Sequence, residues 1–248
     1  MAEALNSGTT PPAPAPYRKR FLVGIVVLGV VLAAAAAAGV VLGLRSGPSG
    51  GGNWSSWHPT KQGVGGAQQI ADHLQPEYRL NEGRQLVFVR AGDAKVNGIP
   101  LYIVITDSSG NINLVPGQAM IYSLCGLGDR CSIKEGQPSV QRSLLLRRES
   151  LELALYTFHY IRHIDSVVVL LPPKPGTDPT VAMLYRRDGL KQELRVPIQR
   201  TLPGKPPRPR AIGAKAAFQI NRLTTQSLFQ YSVQQGQDGS AYLVLQAA

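Results

Sequence analysis

Residues Ser143–Leu171 read SLLLRRESLELALYTFHYIRHIDSVVVLL and decide the fold class of this 248-residue chain. Between Ser143 and Ile164, leucine and aromatic residues recur at helical spacing while charged residues cover the other side, which predicts an amphipathic helix. The run SVVVLL at Ser166–Leu171 is continuously apolar and ends at Pro172, which predicts a strand buried on both faces. We therefore expect a sheet that packs against one main helix.

Upstream of this helix, short apolar runs alternate with turn residues. Strands are predicted at Gln85–Arg90, Ile99–Thr106 and Ile112–Val115 from their β-branched and aromatic content, with a turn at Asp107–Asn111. A short helix is predicted at Gly66–Leu74. These elements place the start of the folded part near residue 54.

Downstream of the buried strand, a hairpin is predicted in which Thr180–Arg186 and Leu190–Val196 flank the turn RDG at 187–189. The order of strands and helices is that of an α+β domain over residues 54–202, with a mixed or antiparallel sheet packed against the main helix.

The end of the chain contains a Pro-rich stretch and a second hairpin. Residues 203–212 are predicted to form an extended linker. In the C-terminal segment 213–248, Phe229–Val233 and Ala241–Leu245 surround a Gly-containing turn. This hairpin either adds to the main sheet or forms a separate element.

The N-terminal quarter of the chain has a different character. Residues 21–44 contain no charged side chain, and as a helix they span roughly 36 Å, enough to cross a hydrocarbon core of about 30 Å. We therefore predict one transmembrane helix at 21–44, preceded by a disordered cytosolic tail at 1–20 and followed by a flexible Gly/Ser-rich linker at 45–53.

Basic residues near the span predict its orientation. Arg18, Lys19 and Arg20 precede it, whereas Arg45 is the one basic residue that closely follows it. The excess of positive charge favours a cytosolic N-terminus, which places residues 45–248 outside the cell membrane. The alternative is a cleaved secretory signal, but the apolar run continues past the alanines that would offer a cleavage site.

The span also contains small residues at helical spacing. Ala35, Gly39 and Gly43 lie on one helical face, where two backbones could approach closely. This pattern predicts a helix–helix seam and a homodimer formed through the membrane segment. The six adjacent alanines make the pattern a weak one.

The charge of the chain bears on its partners. The net charge is +11, and residues 45–248 carry +9 of it. The preferred interpretation is that this charge is spread over the surface without forming a site. The alternative is an anionic envelope component as partner, such as lipid head groups or acidic cell-surface polymers, and the expected location outside the cell argues against nucleic acid. A protein partner stays open as well.

Two cysteines, Cys125 and Cys131, enclose the sequence GLGDR. Outside the cytoplasm, such a pair is predicted to form a disulfide across a tight loop. Free thiols and a redox-active pair are the alternatives, although the spacing differs from the C-x-x-C of thiol oxidoreductases.

His159 and His163 lie four residues apart on the predicted main helix, and together with Cys125 and Cys131 they form a low-probability metal set. The H-E-x-x-H motif is absent, and an oxidising compartment removes the thiolates, so we expect no metal and no other cofactor. Histidines at the end of a helix more often pack against neighbouring residues or cap the helix than bind a metal.

The sequence contains none of the catalytic or nucleotide-binding motifs G-x-S-x-G, G-x-x-x-x-G-K-[ST] or G-x-G-x-x-G.

Trp54 and Trp57 are interpreted as core residues, with contact to the membrane surface as the alternative. We therefore expect a single-pass, membrane-anchored extracytoplasmic binding or scaffold module without enzymatic activity. The alternative function is an envelope-associated hydrolase with a site assembled from dispersed residues.

Overall fold

The computed structural model describes residues 54–96, 98–107 and 109–247. Within these residues, no helix is both long and apolar enough to cross a membrane. The predicted span at 21–44, its seam at Ala35, Gly39 and Gly43, the tail at 1–20 and the linker at 45–53 lie outside the described residues, and they stay predictions.

The described chain contains helices and strands in mixed order. The helices are α1 (Gly63–Leu74), α2 (Val140–Tyr160), α3 (Ile198–Thr201) and α4 (Ala214–Thr224). The strands are β1 (Phe88–Asp93), β2 (Lys95–Val96), β3 (Ile99–Thr106), β4 (Ile112–Leu114), β5 (Ala119–Cys125), β6 (Ser166–Leu170), β7 (Val181–Arg186), β8 (Leu228–Gln235) and β9 (Ala241–Ala247).

These strands form one sheet in the order β1-β5-β6-β7-β8-β9-β3-β2, with β4 also paired to β3. The pairs β5–β6 and β3–β9 are parallel, and the other pairs are antiparallel. The structure thus confirms an α+β fold with a mixed sheet. The C-terminal hairpin β8–β9 lies inside this sheet, between β7 and β3, so it adds to the main sheet and is not a separate element.

The sheet buries both of its faces. On one face, Val167 and Val169 of β6 belong to the large core shared with α1 and α2. On the other face, Val168 belongs to a second cluster that contains Leu184 of β7 and Leu243 of β9. Between β7 and β9, Phe229 and Tyr231 of β8 are partly buried and pack against this second cluster.

The main helix α2 begins where the Ser139 hydroxyl accepts a hydrogen bond from the backbone N–H of Arg142 at 3.1 Å. Charged residues were expected to cover its solvent side, and this expectation is wrong for Arg148 and Glu149, which are buried. Segments that follow β7 pack on this side of the helix: the Arg148 guanidinium donates to the Gly204 carbonyl at 2.8 Å, and the Arg147 guanidinium donates to the Thr224 hydroxyl of α4 at 2.9 Å.

The prediction of a second hairpin strand at Leu190–Val196 is wrong. Residues 190–196 form tight 3₁₀ turns, Arg187–Leu190 and Glu193–Arg195, followed by α3. The edge of β7 that such a hairpin would need is occupied by β8. In addition, the Arg187 guanidinium donates to the carbonyl of Phe158 at 2.6 Å, which holds the chain after β7 at the end of α2.

Candidate functional site

A cluster of stacked aromatic rings lies at the C-terminal end of α2. The Trp54 ring stacks on His159 at 4.2 Å between centroids, and the Trp57 ring stacks on His73 at 4.1 Å. Tyr156 contacts both tryptophans, at 5.3 Å and 5.9 Å. Trp54 is buried, so the structure places it in the domain core rather than on an outer surface.

Both histidines of these stacked pairs favour their neutral form. Burial, followed by the charge of Arg187, lowers the pKa of His159. Burial also lowers the pKa of His73, against the opposing effect of Glu77. A neutral imidazole packed on an indole is a structural contact in this fold.

The low-probability metal set is not brought together. Cys125 and Cys131 are bonded to each other, so their sulfurs are not free thiolates. α2 ends at Tyr160, and His163 lies beyond it in an exposed loop with a φ of 61°, so the two histidines do not share a helical face. Within the described ranges, no three His, Cys, Asp or Glu residues are grouped so that they could hold a metal ion.

The disulfide prediction is confirmed: Cys125 at the end of β5 is bonded to Cys131. The loop between them is tight, since the Gly126 N–H donates to the Cys131 carbonyl at 2.8 Å. Arg130 extends from this loop and forms an ion pair with Asp178 at 2.6 Å. The disulfide loop is thereby attached to the segment that follows β6.

Two carboxyl groups of α2 itself, those of Glu149 and Glu152, lie in the interior. Glu149 is 0% exposed, and neither of its carboxyl oxygens has a hydrogen-bond partner. Burial, together with the neighbouring Glu152, holds the pKa of Glu149 well above its usual range. Burial also raises the pKa of Glu152, which accepts a hydrogen bond from the hydroxyl of the buried Tyr78.

A cleft of about 710 Å³ opens at the other end of α2, where this helix begins. Its apolar lining includes Ile133, Leu146, Leu171, Pro172, Pro173 and Val181. Its polar lining includes the hydroxyls of Ser139, Ser143, Thr177 and Thr180, and its charged residues are Arg142, Lys174 and Asp178. The volume lies within the range of small-ligand sites.

The charges in the cleft are unequal. Asp178 is already paired with Arg130. Arg142 is only 6% exposed and donates one hydrogen bond, from Nη1 to the Glu135 carbonyl at 3.1 Å. Among the described residues, no carboxylate forms an ion pair with Arg142. The cleft therefore presents a buried positive charge next to an apolar wall.

Sequence reasoning did not find this cleft. Its lining comes from four stretches of chain around Ile133, Ser139–Leu146, Leu171–Lys174 and Thr177–Val181. None of these stretches carries a binding motif, and the one local signal is the helix start at Ser139.

No family model, curated protein or solved structure matches this chain.

Proposed function

We propose that the chain is a membrane-anchored, extracytoplasmic binding module whose ligand site is the cleft at the start of α2. The observation that carries this proposal is the composition of the cleft, which joins an apolar wall to the buried Arg142 and offers no free carboxylate. Concave, largely apolar sites with few polar groups are typical of ligand binding.

The cleft chemistry favours binding over hydrolysis. Glycoside hydrolysis requires a pair of carboxyl groups facing one open site, one as acid and one as base or nucleophile. Glu149 and Glu152 are neighbours, but Glu149 is fully enclosed in the core and neither residue lines the cleft. The carboxylate that does line the cleft, Asp178, is held in an ion pair.

The proposed location rests on two independent features. The uncharged run at 21–44 has the length of a membrane span, and the basic residues before it favour a cytosolic N-terminus. The disulfide between Cys125 and Cys131 fits an oxidising compartment outside the cytoplasm. Protease treatment of intact cells should remove the C-terminal part, and protection of residues 54–248 would contradict the orientation.

The ligand site is tested by photo-crosslinking in intact cells. A benzophenone amino acid placed at Val140, which is 73% exposed at the rim of the cleft, should capture the ligand. The matched control is Phe218 on α4, which is 71% exposed and does not line the cleft. Equal capture at the two positions, or none at Val140, would refute the assignment of the cleft.

A further inference from the structure

We propose that the cleft binds a peptide carboxylate flanked by aliphatic residues, with Arg142 and the N-terminus of α2 holding the carboxylate. This inference rests on the proposed function and names the ligand class of the same site. Its support comes from three separate properties of the cleft: an unpaired buried cation, a helix N-terminus and a lining that combines apolar side chains with hydroxyls.

Arg142 is a buried cation that lacks an anion. The side chain is 6% exposed, lines the cleft and has no acidic partner in the described part of the chain. Burial lowers the pKa of its guanidinium, and no opposing charge contributes to this shift. Because a buried charge is costly unless it is paired, a ligand carboxylate that reaches Arg142 supplies the missing partner.

The start of α2 adds a second attraction for an anion. This helix is 21 residues long, and its N-cap Ser139 and first residue Val140 lie in the cleft wall. None of the described residues accepts a hydrogen bond from the backbone N–H of Val140. Unpaired N–H groups and the aligned peptide dipoles make such a helix start attractive to negative groups.

The rest of the lining favours a peptide over a hydrocarbon chain. Leu146, Leu171 and Val181 offer contacts to aliphatic side chains, and Pro172 and Pro173 extend the same wall. The Ser139 and Thr177 hydroxyls already have partners, the Arg142 N–H and the Lys174 carbonyl, but those of Ser143 and Thr180 have none among the described residues and would lose water without compensation under a hydrocarbon chain. Peptide amides can donate to these hydroxyls and accept from them.

The charge balance of the cleft favours an acidic over a basic peptide. Lys174 lines the cleft as a second cation, and Asp178 forms an ion pair with Arg130. A basic side chain would thus meet two positive groups and no free negative one. A carboxylate would instead meet two groups of opposite charge, Arg142 and Lys174. This carboxylate can come from a chain end or from an acidic side chain.

The test measures the affinity of three peptides for the full-length chain in detergent micelles. The first is seryl-leucyl-valyl-leucine with a free C-terminal carboxylate, labelled at its N-terminus with an uncharged boron-dipyrromethene dye, and the second is its C-terminal amide with the same label. The third is an amide in which valine is replaced by glutamate. Fluorescence anisotropy should show that a carboxylate-bearing peptide binds at least about tenfold more tightly than the plain amide, as expected for a charge-assisted hydrogen bond.

The three peptides separate the sources of the carboxylate. Tight binding of the first alone indicates a chain end, and tight binding of the third indicates an acidic side chain. Equal affinity for all three would overturn the inference. Competition by octanoate that exceeds that of the free peptide would assign the cleft to a fatty-acid-like ligand and would also overturn it.

Variants locate the effect in the cleft. Arg142→Met should abolish the preference for the carboxylate, Lys174→Met should reduce it, and Arg210→Met, at an exposed position outside the cleft, should leave it unchanged. If Arg142→Met does not fold, the inference is still tested by the Lys174→Met variant and by the comparison of the three peptides on the unaltered chain. Cross-linking at Val140 without carboxylate preference would refute this inference and leave the binding function standing.

Discussion

The buried carboxyl of Glu149 makes a sharp prediction about stability and pH. Glu149 is fully buried without a hydrogen-bond partner, and burial with the nearby Glu152 raises its pKa well above the usual range. The folded protein therefore holds the proton of this group at pH values where the unfolded chain has released it. Its contribution to stability is fully present below the unfolded pKa and is lost as the pH rises.

The magnitude follows from counting one proton. Above about pH 4.3, the unfolded chain binds one proton fewer at this site than the folded chain, so the free energy of unfolding falls by up to about 1.4 kcal/mol per pH unit. The fall ends where the folded carboxyl itself ionises. Glu149→Gln keeps the shape of the side chain and removes the titration, so the variant should be the more stable protein at neutral pH.

The assay is urea unfolding of residues 54–248, which contain both hydrophobic clusters, at several pH values between 4 and 8. The difference in unfolding free energy between Glu149→Gln and the unaltered chain should grow with pH. Glu82→Gln, at an exposed position, serves as the control and should run parallel to the unaltered chain. A pH-independent difference for Glu149→Gln would refute the reasoning, because it would mean that the carboxyl is ionised in the folded state.

Two further predictions concern the disulfide loop and the aromatic cluster. Cys125→Ala with Cys131→Ala should lower the free energy of unfolding by about 2 kcal/mol, the value for closing so short a loop, while α2 remains intact by circular dichroism. Burial and the Arg187 charge lower the pKa of His159, so its contribution to stability is present above the unfolded pKa of about 6.5 and is lost as the pH falls below it. His159→Gln should therefore flatten the fall in melting temperature below this pH, and an unchanged slope would mean that stacking on Trp54 offsets the cost of protonation.

The elements that sequence reasoning found are those with a local pattern. The strand predicted at Ile99–Thr106 has the same bounds in the structure, and the buried strand at Ser166 differs by one residue. β5 was missed, although Met120, Tyr122 and Leu124 alternate as buried residues. α4 was missed because it follows the Pro-rich stretch and begins after Gly213 without a side-chain cap.

The candidate site could not be derived from local patterns. The low-probability metal set placed two histidines on one helix, and the helix ends before the second of them. The sequence does not single out Arg142, because an arginine near the start of a helix is usually an exposed surface residue. Its importance comes from burial without an acidic partner, which depends on the packing of the segments around residues 133 and 171.

The sequence by itself determined the α+β class, the main helix with the strand that follows it, and the disulfide. Each of these depends on neighbours in the chain, namely residue periodicity, turn residues and cysteine spacing. Only the tertiary structure decided the place of the C-terminal hairpin within the sheet, the enclosure of Glu149 and the cleft around Arg142. These features depend on which distant segments pack together, and burial changes the energy of a charged group far more than its neighbours in sequence do.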